Sequence, residues 1–75
     1  MSDAEADRLA HMAGQIAAAF RNLPPDEGAG AVAAHINQFW PVMMRRDFVA
    51  RFGADPAGLD PVLARAVRLV RVPAG

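Results

Sequence analysis

Apolar residues return at three- and four-residue steps along most of the chain. Leu9, Met12, Ile16, Phe20 and Leu23 form the first such run, which predicts one stripe of a helix over residues 3–22. Ser2 and Glu5 have the capping-box spacing, in which a hydroxyl and a carboxylate satisfy free backbone N–H groups. Pro24 and Pro25 then stop the helix, because neither can donate a backbone hydrogen bond.

A second helix is predicted from Asp26 or Glu27 to Phe39. Val32, Ile36, Phe39 and Trp40 are its large apolar edge, Ala29 and Ala33 lie alongside, and Gly28 and Gly30 weaken its first turn. Pro41 disfavours helical geometry at Trp40 and suits the first turn of a third helix. There Met44, Phe48 and Phe52 recur four apart with Val49 beside them, and Gly53 is the expected C-terminal cap. Residues 54–58 read as a turn-rich link. Asp60 as cap, Pro61 at the first position and Leu59 packing back on Leu63 announce a last helix. Its stripe is Leu63, Val67 and Val70, with Ala66 beside it. Arg65, Arg68 and Arg71 are expected on another face, near the negative end of the helix dipole. Strand-like alternation appears only briefly, at residues 68–72. The predicted fold class is all-α, a small antiparallel bundle of three to four short helices in a single domain, residues 1–75.

Composition adds a constraint. A chain of 75 residues buries only about 60% of the surface its unfolded form exposes. Alanine, which dominates here, favours helix but contributes little buried area. With no cysteine, disulfides and thiolate metal sites are excluded. An easily formed helical body with a shallow core favours a partner.

Charge narrows the class further. Eight basic residues, all arginine, balance eight acids. Residues 1–40 hold two arginines and five acids, and residues 41–75 hold six and three. A net charge of zero lacks the basic footprint of a nucleic-acid binder. The acidic N-terminus reads as neither a secretory nor a transit peptide. No apolar run approaches the ~18 residues that cross a bilayer. The expectation is a soluble cytoplasmic protein with no membrane or nucleic-acid partner.

Catalytic residues are scarce. Cys, Tyr, Thr and Lys are absent, Ser2 is the only serine, and no glycine-rich phosphate motif occurs. His11 and His35 are the only histidines. Asp7, four residues before His11, suits a carboxylate–imidazole contact of the ordinary helix-surface kind. The chain is expected to be no enzyme, with no catalytic, cofactor or metal residue.

Residues 34–48 carry the unusual surface. Phe39 and Trp40 are neighbours, as are Met43 and Met44. Adjacent helical residues diverge by about 100°, so both members of a pair rarely enter one small core. Trp, Met and Arg are enriched at interface centres, and arginine pairs bidentately with carboxylates. The residues alone leave two readings open, a private core and a docking face. On the second, Phe39, Trp40, Met43, Met44, Arg45 and Arg46 form the interface around the bend, with Met12, Gln15 and Ile16 adjoining.

Three segments resemble one family. "MAGQIAAAF" at 12–20, "HINQFWPVMMR" at 35–45 and "GLDPVLARAV" at 58–67 are similar to the small delta subunit of cytosolic, NAD-dependent, molybdenum- or tungsten-containing formate dehydrogenases. Met12, Ala13, Gln15, Ile16, Ala17 and Phe20 match the first motif, while Gly14 and Ala19 depart. His35, Phe39, Trp40, Met44 and Arg45 match the second. Pro41 and Val42 replace its Asp-Pro and Met43 replaces an arginine, so the helix cap of that aspartate is lost.

The resemblance implies a non-catalytic accessory subunit that docks on the catalytic large subunit of a formate dehydrogenase. It would support assembly, stability or cofactor insertion, with His35 joining the interface. Molybdopterin, iron–sulfur clusters, flavin and NAD are then expected on partner subunits and none on this chain. The alternative is a free-standing helical homodimer, or a regulatory adaptor, burying the same apolar face.

Overall fold

A computed structural model describes residues 2–74; the outermost residue at each end of the expected domain lies outside it. The chain forms α1 (Asp3–Ala19), α2 (Pro25–Phe39), α3 (Val42–Phe52), a short 3-10 turn (Pro56–Gly58) and α4 (Pro61–Val67). The described residues form helices and no strand, so the fold is all-α as predicted.

Local chemistry accounts for most boundaries. Ser2 Oγ accepts from Glu5 N at 3.2 Å, the hydroxyl half of the predicted box. Asp60 Oδ1 accepts from Leu63 N at 2.9 Å and caps α4, with Pro61 at its first position. Helix α2 starts one residue before the predicted Asp26. Pro25 occupies its first position, where a missing N–H removes no bond.

Two helices end earlier than the apolar stripe implies. Phe20 N bonds Ala17 O, Arg21 N bonds Ala18 O, and Leu23 N bonds Phe20 O. This tightening to three-residue closures ends α1 at Ala19, short of the predicted residue 22. The same happens after α4, where Arg68, Leu69 and Val70 bond back to Arg65, Ala66 and Val67. Arg71 therefore lies beyond the helix, and Arg65, Arg68 and Arg71 do not share one helical face.

The core is built around α2, which buries Gly28, Ala29, Val32, Ala33 and Ile36 and packs chiefly against α4. Helix α1 adds Ala6, Leu9 and Ala13, α3 adds Phe48 and Phe52, and α4 adds Leu63, Ala66 and Val67. The buried alanines let helix backbones approach, and the large side chains fill the centre. Among the described residues no polar or charged side chain is buried. Gly28 lies where α1, α2 and α4 converge, and a Cβ there would sit 3.6 Å from Phe20 O and 3.8 Å from Val62 Cγ1. Gly53 does cap α3, but in right-handed geometry (φ −64°). Glycine is needed there because a Cβ would approach Val49 O to 2.5 Å. No helix of the described residues is long and apolar enough to cross a membrane.

Candidate docking surface

The corner between α2 and α3 sorts the predicted interface residues into two groups. At Trp40 the backbone turns extended (φ −81°, ψ 135°), as the following proline requires. That turn carries the indole back over α3. Trp40 is only 7% exposed, and its ring meets Phe48 edge-on at 5.6 Å. Phe48 in turn lies 5.5 Å from Phe52. Trp40 is thus a core residue, which corrects the expectation that it stands out as a partner anchor.

Phe39, one residue earlier, points away. It is 64% exposed, Met43 is 62% exposed, and Val42 is 36% exposed. Half-buried His35 meets Phe39 with the rings tilted at 44° and their centroids 4.7 Å apart. Burying a side chain of this size completely is worth about 1.5–3 kcal/mol. An exposed cluster of them is therefore a substantial latent driving force.

The arginines are divided too. Arg45 is committed internally: Nε donates to Trp40 O at 3.2 Å and Nη1 to Arg71 O at 2.8 Å. Arg51 lies over the Phe52 ring, 5.0 Å from its centroid. Arg46 is exposed and has no ion-pair partner among the described residues. Arg65 pairs with Asp26 at 2.9 Å, which joins α4 to α2 in solvent and contributes little.

Met44 is half-buried against the core, as are Met12 and Ile16 on α1. Gln15 is exposed, its Nε2 3.4 Å from His11 Nε2. His11 thus meets Gln15, four residues on, rather than Asp7. The structure brings His35, Phe39 and the exposed start of α3 to one corner. Among the described residues no three side chains of the metal-ligating kind converge.

Some exposed features depart from the sequence reading, which places Leu23 on the first apolar stripe. Leu69 is 52% exposed and Leu23 39% exposed. A groove of about 510 Å³ opens between α1 and the N-terminal ends of α2 and α4. Gly14, Ala17 and Ala18 form one wall, and Pro61 and Val62 the other. Phe20 and Leu23 of the predicted stripe line the groove as well; periodicity marks residues as apolar but does not show which gap between helices they face.

The geometry defines a class: a small helical protein whose largest exposed apolar side chains gather at one inter-helix corner. The family described as NADH-dependent formate dehydrogenase delta subunit FdsD matches over residues 8–67, which span all three resembling segments. The chain belongs to that family. No curated protein and no solved structure matches it significantly.

Proposed function

We propose that this chain is a non-catalytic accessory subunit that docks on the catalytic large subunit of an NAD-dependent formate dehydrogenase in the cytoplasm. The contact is made through Phe39, Val42 and Met43, with Arg46 and His35 at the rim. It supports assembly, stability or cofactor insertion. Molybdopterin, iron–sulfur clusters, flavin and NAD reside on the partner subunits.

The observation that carries this reading is the exposure of Phe39 and Met43 on a chain whose core closes without them. Family membership supplies the setting, a formate dehydrogenase complex. Arg46 offers a bidentate contact to a partner carboxylate at the edge of the apolar centre.

The test is co-purification with the catalytic subunit. Because both side chains are exposed, the Phe39→Asp/Met43→Asp double variant is expected to keep its helical content. Its association should weaken at least about tenfold, the range of an interface hot spot. Wild-type association of a folded double variant removes this corner from the interface. Sedimentation of the isolated chain addresses the homodimer: a stable dimer lost in the double variant would assign the corner to self-association instead.

A further inference from the structure

Backbone bonds from Leu69 N to Ala66 O and from Val70 N to Val67 O carry the last turn of α4 into the segment after it. Side chains of α2 and α3 fasten that segment to the rest of the fold. Arg71 N donates to Asn37 Oδ1 at 2.7 Å, and Asn37 Nδ2 donates to Leu69 O at 3.1 Å. One amide on the last turns of α2 thus grips two residues of the segment. Arg45 of α3 holds the same segment through Arg71 O, and holds the end of α2 through Trp40 O. Val70, between the gripped residues, is buried.

These bonds matter because the corner has few restraints of its own. Trp40 N bonds Ile36 O within α2, and Arg45 N bonds Pro41 O within α3. Neither crosses the corner. Pro41, at the cap of α3, makes no side-chain cap bond. Arg45 to Trp40 O and the Trp40–Phe48 ring contact span it directly. Residues 69–71 span it from outside, through Asn37 on one side and Arg45 on the other. Phe39, Val42 and Met43 all lie between residues 37 and 45. The family match ends at Val67, so this segment lies beyond the matched span and its role is read from geometry.

We propose that residues 69–71 are a strap that sets the α2–α3 corner, with Asn37 and Arg45 as positioning residues that hold Phe39 and Met43 in docking orientation. The proposal rests on the reading of that corner as the docking edge. Neither positioning residue need touch the partner.

The experiment measures three things on the full chain: hydrogen exchange at the Arg71 amide, acrylamide quenching of Trp40, and affinity for the catalytic subunit. Asn37→Ala removes both amide bonds. Asn37→Asp keeps the acceptor for Arg71 N and loses the donor to Leu69 O. In Asn37→Ala, Arg71 exchange should rise about tenfold, as loss of two hydrogen bonds implies. Trp40 should become more quenchable, and affinity should fall about five- to tenfold, with helical content retained. Asn37→Asp should restore part of both protection and affinity, and Arg45→Met should repeat the loss from the other side.

Unchanged Arg71 exchange in Asn37→Ala overturns the strap. Faster exchange with affinity altered less than about twofold overturns its link to docking. If the Phe39→Asp/Met43→Asp variant binds normally, the docking reading fails and takes the positioning role with it. That result differs from the others because the strap variants would still change exchange and quenching.

Discussion

At residue 40 the chain turns extended in front of a proline, and this one torsion decides the roles of two aromatic neighbours. Trp40 swings onto Phe48, while Phe39 keeps the helical direction and faces solvent. Removing the indole would leave a cavity between α2 and α3. Trp40→Ala should therefore destabilise the isolated chain by about 3–5 kcal/mol, the range for large aromatic deletions in cores. Phe39→Ala, at a solvent-facing position, should change stability by no more than about 0.5 kcal/mol. Urea unfolding followed by helical circular dichroism compares the two. Near-equal effects would contradict the division of labour at the corner. An association assay on Trp40→Ala alone would be misleading, because lost binding would report lost structure.

Helix starts were the most legible features of the elements, whereas α1 and α4 end before their apolar stripes do. Ser2, Asp60 and Pro61 act through contacts within three residues in sequence, and their spacing carries the signal directly, whereas Pro25, read as ending the first helix, opens the second. Of the two caps, Asp60 should matter more. It starts a helix of only seven residues that carries Leu63, Ala66 and Val67 into the core. Asp60→Ala should cost about 1 kcal/mol of global stability. Ser2→Ala, at the exposed N-cap of α1, should loosen only the first turn of that helix, since helix termini open locally at little free energy. Amide exchange resolved along α1 and α4 separates these outcomes. The site was less legible than the helices. Periodicity marked Met12, Ile16 and Met44 as apolar but could not say that they half-bury against the core. Arg45 read as a partner-facing cation, whereas it serves carbonyls at Trp40 and Arg71. Asn37 gave no signal, because its partners lie 32 and 34 residues away. Contacts of that range depend on the assembled fold and have no fixed sequence spacing.

For the whole molecule, the decisive question is whether the body needs its partner in order to fold. Its radius of gyration, 11.2 Å, equals the roughly 11 Å expected of a compact domain of this length. Among the described residues, those that are buried include no polar side chain. Both observations describe a core that closes by itself, so the isolated chain should unfold in one cooperative transition. Yet among the described residues, of the five large apolar side chains left exposed, three (Phe39, Val42 and Met43) cluster at the α2–α3 corner. A partner that covers them binds only the folded form and stabilises it by mass action. At a free partner concentration 100-fold above Kd this amounts to about 2.7 kcal/mol. For a chain of this length that is roughly a 10–20 °C rise in the unfolding midpoint. The measurement is the thermal transition of the labelled chain with and without excess catalytic subunit. Wild type should show the rise, and Phe39→Asp/Met43→Asp should lose most of it while unfolding near the same temperature alone. A midpoint indifferent to the partner would mean that the exposed corner is only surface.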